Sequence, residues 1–234
     1  MKKFIPLAVF SIAMGFLEAT VVVYLRELYY PTGFGFPLNT FIPARILNIE
    51  LVREITTIVM LICVGILSGG RFIWKLCYFL FSFGVWDIFY YVGLKVFINW
   101  PESLFSWDLL FLIPVAWVGP VIAPVICSAT MIFLAMVVIY CEEKLSMKLN
   151  WSLIEWSLVL VGSFLIYLTF TWDFTTMIIE KGFICKFLSL GSDAEFAKVV
   201  SSYVPTKFLW PMFVLGEVLI LLSLFLVCIK SKRL

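Results

Sequence analysis

"SIAMGFLEATVVVYLRELYY", residues 11–30, continues an apolar run that begins at Phe4, and it sets Glu18, Arg26 and Glu27 within or just beyond that run. A helix needs about 20 apolar residues to cross a hydrocarbon core of roughly 30 Å. Residues 4–25 supply them with a single charged interruption, Glu18. A carboxylate near the bilayer centre costs ~2.5–3.5 kcal/mol on insertion scales, and a simple anchor gains nothing from it. Glu18 therefore marks a helix with neighbours: a cation, water or a proton must offset its charge.

The rest of the chain has the same character. Its 234 residues are 63% hydrophobic and 14% charged, against about 45–50% and 25% in soluble domains, too much apolar surface for one core to hide. Six runs are long enough to span, at 4–25, 51–69, 73–94, 116–140, 152–172 and 208–229. The expected fold class is all-α, a polytopic integral membrane helix bundle. It has about six transmembrane helices, short interfacial helices in the outer loops, and a single transmembrane domain over residues 1–234. The second run is the shortest, its uncharged part reaching only from Ile55 to Gly70. From Leu109 to Cys141 no residue is charged, and Pro114, Pro120 and Pro124 interrupt the stretch. Two readings fit: "DLLFLIPVAW" as a short interfacial helix before the span, or 109–141 as one long proline-kinked helix.

Lysine and arginine crowd the short 69–75 and 142–151 connections and both tails, whereas the other connections are long and sparse in charge. Short-loop density orients membrane proteins, so both termini are expected in the cytoplasm and the protein in the plasma membrane. The first apolar run outlasts the 7–15 residues of a signal-peptide core and is expected to be retained. The long outer loops are aromatic, with "GFGFP" (33–37) as a turn. The Trp and Tyr residues at span ends, among them Tyr29, Tyr30, Trp100 and Trp210, are expected as interfacial anchors.

Composition also excludes chemistry. The chain has no histidine, which removes imidazole-ligated haem or zinc and histidine-based triads and dyads. The six cysteines (63, 77, 127, 141, 185, 228) are scattered with no C-x-x-C pair and behave as small buried hydrophobes. No metal site and no cofactor are expected. The net charge of +2 and the absence of a basic stripe leave no nucleic-acid partner. The expected partners are the lipid bilayer and, for an accessory role, another membrane protein or a second copy.

Placed by depth, Glu18, Glu54, Asp87 and Glu217 fall in the outer half of their spans, with Arg53 beside Glu54 near the start of the second. These five are the candidate cavity and ion-relay residues. Arg26, Tyr90, Tyr91, Asp108 and Asp173 are secondary candidates. Glu27, Asp108 and Asp173 read as solvated caps at the outer boundary, and Glu155 alone lies near the inner one. Ser11, Gly15 and Glu18 share a helix face, as do Glu155, Gly162, Thr169 and Asp173. Arg53 can pair locally with Glu50, and Tyr90 or Tyr91 can donate to Asp87. Packing pairs such as Glu18–Arg53 and Asp87–Arg26 are the competing, purely structural explanation.

Three functional classes follow. A small transporter or channel-like protein would use the acids as a relay in a cavity open to the extracytoplasmic side. An outer-leaflet enzyme acting on a lipid or polyprenyl substrate would use an Asp pair or carboxylate-bound Mg²⁺, Asp87 with Asp108 or Asp173, and hold phosphate with Arg53 or Arg26. A structural or accessory subunit would use the pairs for packing alone. The sequence favours the first and leaves enzymatic activity open.

Overall fold

The computed structural model describes residues 1–31, 33–38, 42–183 and 194–233. Six long apolar helices dominate it: α1 (Phe4–Tyr29), α2 (Ala44–Ser68), α3 (Phe72–Ile98), α4 (Ile122–Glu143), α5 (Leu153–Glu180) and α7 (Trp210–Lys230). Each is long and apolar enough to cross a bilayer, so the chain is a multi-pass membrane protein. A short helix, α6 (Ala194–Ser201), precedes α7, in keeping with the interfacial helices expected in the outer loops. The strand pairs β1 (Trp107–Phe111) with β2 (Trp117–Pro120), and β3 (Met147–Lys148) with β4 (Lys232–Arg233), are the sheet elements among the described residues.

Several helices outrun the expected spans. α2 begins at Ala44 rather than at 51, so Glu54 lies ten residues inside it, about 15 Å below its end at 1.5 Å per residue, and not at its start. The Glu50–Arg53 ion pair, 2.7 Å between Nε and Oε2, lets the charged first turns continue the helix. α5 likewise runs on to Glu180.

Residues 109–120 correct both readings of the uncharged stretch. They form neither an interfacial helix nor the first turns of a kinked one. They are part of an antiparallel β1–β2 hairpin with a bulge between Leu109 and Phe111, and the span starts only at Ile122. Pro114 lies in the turn, where its missing N–H breaks no ladder bond. The hairpin meets the rule for irregular backbone at membrane depth, since it is sheltered by protein: Gly119 packs on the rings of Phe170 and Phe208.

α3 is the axis. Residues on several sides of it are buried, from Cys77 to Leu94, and α1, α2 and α4 all pack against it. Gly15 brings α1 so near that a Cβ there would stand 2.7 Å from the Trp86 carbonyl oxygen, and Ser11, Gly15 and Glu18 are buried together as their shared face requires. α5 and α7 form a separate pair, joined where Gly162 and Gly216 face one another, each a hypothetical Cβ 2.7 Å from the other's carbonyl oxygen. Small residues are what close helix approach in lipid demands.

The two ends of the bundle differ. At the end carrying both termini, Met1 pairs with Glu143, Arg71 pairs with Glu142 at 2.5 Å, and Lys230 pairs with Glu155, which also closes a capping box with Ser152. Beneath this face Phe4, Leu7, Cys77, Tyr78, Phe81, Leu134, Val138, Ile139 and Val227 form one buried apolar cluster. The acids singled out by the sequence lie towards the other end.

Candidate functional site

α1 and α2 share α3 as a neighbour but build no comparable interface with each other. Between them, roofed by the hairpin, lies a cavity of about 140 Å³. Its walls carry Glu18 and Arg26 from α1, Glu50, Arg53 and Glu54 from α2, and Trp86, Asp87, Tyr90 and Tyr91 from α3, with Leu109–Leu112 of the hairpin alongside.

Arg53 is the hub. Its guanidinium pairs with Glu18 across the gap and with Glu50 on its own helix. Thr57 donates to the second oxygen of Glu18 at 3.2 Å. The Glu50–Arg53 pair expected from spacing is thus formed, and so is Glu18–Arg53, one of the two packing pairs named by the competing structural reading. Glu54 makes no ion pair among the described residues, and both its oxygens accept the Leu112 N–H, at 3.1 and 3.0 Å. That bond ties α2 to the hairpin.

Asp87 and Arg26, the other pair named by that structural reading, do not pair. Asp87 accepts a hydrogen bond from Ser128 of α4 at 2.7 Å, and Arg26 turns instead to Asp108, Nη2 to Oδ1 3.0 Å. Tyr91 also donates to Asp108, at 3.1 Å, and not to Asp87. Asp108 is therefore no solvated cap: it is 0% exposed. The hairpin carries it into the bundle, a path no helical reading of 109–120 could supply. The Arg26 guanidinium lies in the corner of the perpendicular Phe34 and Trp100 rings, 4.1 and 3.8 Å from their centroids, so Trp100 is a buried cation contact rather than an interfacial anchor.

A second cavity, about 290 Å³, lies between α3, α4, α5 and α7. Glu217 sits here, accepting from Thr130 at 2.7 Å, with the Cys127 thiol beside it. The other walls are mostly apolar and aromatic, including Phe83, Trp117, Met131, Ile166 and Phe170. Asp87, Leu110 and Phe111 line both cavities.

Asp173 stands apart from both. It accepts from Tyr203 at 2.7 Å, and from the Thr206 hydroxyl and N–H at 2.7 and 3.2 Å. It fastens the chain after α6 onto α5 and is not a free cap. Burial, then the bond to Asp173, pushes the Tyr203 phenol up from its ordinary value. The five cysteines that are described are free thiols, and Cys185 lies outside the described residues.

Glu18, Arg53, Glu54 and Asp87 thus come together with Arg26, Tyr90 and Tyr91, while Glu217 joins through the Asp87 wall. Sequence reasoning missed Thr57, Ser128, Thr130 and the Leu112 N–H as partners. Hydroxyls in apolar helices gave no clear signal for the first three, since others such as Thr20, Thr56 and Thr171 bond only their own helix backbone. Among the described residues no three Asp, Glu or Cys side chains converge as a metal-binding group would. Comparison with known proteins gives no further purchase: no family model, no curated protein and no solved structure matches the chain.

Proposed function

We propose that this chain is a small transporter or channel-like protein of the plasma membrane, one transmembrane domain with both termini cytoplasmic, whose carboxylate-lined cavity faces the extracytoplasmic side. The observation that carries this reading is the position of Asp87, a wall of both cavities at once. Glu54, Asp87 and Glu217 then form a polar series from the gap between α1 and α2 into the space between α4 and α5. None of the three has an ion-pair partner among the described residues, so each is available to bind a proton or cation, as intramembrane carboxylates in relays do. Arg53, neutralised by Glu18 and Glu50, fixes the field around them. The second cavity reaches Leu80, Leu134 and Val159, and Leu134 also belongs to the apolar cluster of the terminal end, against which Leu80 packs.

The enzyme reading has less support, because the acids form hydrogen-bonded and ion-paired units instead of converging on one point. Reconstituted in liposomes, Asp87→Asn and Glu18→Gln should each leave the protein folded and inserted and abolish proton or solute flux. Wild-type flux in both variants would overturn the proposal.

A further inference from the structure

We infer that the two cavities are the two ends of one binding site for a zwitterionic lipid, with an amine-bearing headgroup in the first and its hydrocarbon chain in the second. This names a substrate class for the transport reading above and rests on that reading for movement, though not for binding.

The cavities share Asp87, Leu110 and Phe111 as a common wall, and they divide by polarity. The first holds the buried Arg26, the partly buried Arg53 and four carboxylates, while the second, apart from Asp87 and Glu217, is lined chiefly by apolar and aromatic side chains. An amphiphile has that same division.

The headgroup chemistry follows from what is left unpaired. Glu54 and Asp87 accept single N–H or O–H donors and face no ion-pair partner among the described residues; an ammonium supplies what they lack. Two donors in the same walls are also unsatisfied. Trp86 is 4% exposed and Arg26 7%, yet the Trp86 Nε1 and Arg26 Nη1 atoms have no hydrogen-bond partner among the described residues. Leaving a buried donor unpaired is costly, and a phosphate oxygen would satisfy either. A metal cation answers only the carboxylates and an inorganic anion only the donors. A phosphoethanolamine group answers both. The absence of a packed α1–α2 interface leaves the side of the first cavity facing the bilayer, where such a lipid resides.

The test is native mass spectrometry of the detergent-purified protein with three probes: lysophosphatidylethanolamine, lysophosphatidylglycerol and chain-free phosphoethanolamine. The first should bind at least about tenfold tighter than the other two, the scale of one hydrogen bond to a charged group. Asp87→Asn should erase the preference over lysophosphatidylglycerol, and Trp86→Phe, which removes a phosphate donor, should weaken all three probes alike. Ser163→Phe, which sets a ring at the exposed edge of the second cavity away from every ion pair, should weaken both lysolipids by about tenfold and leave phosphoethanolamine unchanged. Circular dichroism on each variant establishes that it is folded. Equal binding of the two lysolipids, equal binding of the chain-free probe, or indifference to Ser163→Phe would overturn the inference. Flux is measured separately: selective lipid binding with wild-type flux in Asp87→Asn would sink the transport reading alone, and lost flux without lipid selectivity would sink this inference alone.

Discussion

Consider removing the Arg26–Asp108 unit one half at a time. Asp108 is wholly buried, Arg26 nearly so, and the pair spans α1 and the hairpin at 3.0 Å. Deleting one member of a buried pair strands the other charge and costs about 3–5 kcal/mol. Arg26→Met additionally forfeits the cation–π contacts with Phe34 and Trp100, worth about 2 kcal/mol when desolvated. Asp108→Asn retains the side-chain shape and leaves a cation against two rings and the Tyr91 hydroxyl. Either substitution should therefore lower the folding equilibrium constant by at least about a hundredfold, at about 1.4 kcal/mol per factor of ten. The double variant Arg26→Met/Asp108→Leu strands no charge, so it should cost less than the sum of the single losses. The assay is reversible unfolding in mixed detergent–SDS micelles, followed by tryptophan fluorescence. Single losses below about 1 kcal/mol, the range of exposed pairs, would refute the reasoning, as would strict additivity in the cycle.

Gly216→Val should separate α5 from α7 and reduce the yield of folded protein severalfold by size-exclusion chromatography, because any Cβ there meets the Gly162 carbonyl. Gly70→Ala, with open space around it, should have no such effect. The Tyr203 phenol, held neutral by burial and by its bond to Asp173, should stay un-ionised above the ordinary value of about 10. Its contribution to stability is complete below that pH and is lost only as pH rises through the higher folded value. Wild type and Tyr203→Phe should accordingly show the same phenolate absorbance just above pH ~10, and an extra wild-type signal would contradict the latch. A reporter active only outside the cytoplasm should work when inserted after Glu102 and stay silent after Lys144, and the reverse pattern would invert the proposed orientation.

The helical bundle was legible because apolar length is nearly sufficient to specify a span, and the charges near Glu18 pointed to the correct end of it. Partner choice was less legible. Glu18–Arg53 could be anticipated because both lie in continuous helices whose depth counts out along the sequence. Arg26 could not be assigned to Asp108, since Asp108 reaches it only through a hairpin turn at Pro114 that apolar content alone does not distinguish from a helix. Trp100 was misread for a related reason: an aromatic residue just past a helix end looks alike whether it meets headgroups or stacks on a guanidinium. The hydroxyl partners of Asp87 and Glu217 depend on the rotation of α4 against α3 and α7, a quantity set by ridge packing and not by residue spacing.

The reliance of α1 and α2 on α3, with little contact of their own, bears on how the chain is made. Synthesis delivers α1 and α2 to the bilayer before the helix both must lean on has left the ribosome. In that interval the Glu18–Arg53 bridge, with the Thr57–Glu18 and Lys3–Ser68 hydrogen bonds, supplies ties between them that the finished structure retains. The first two helices thus meet through a few polar contacts and gain most of their packing only when the third arrives.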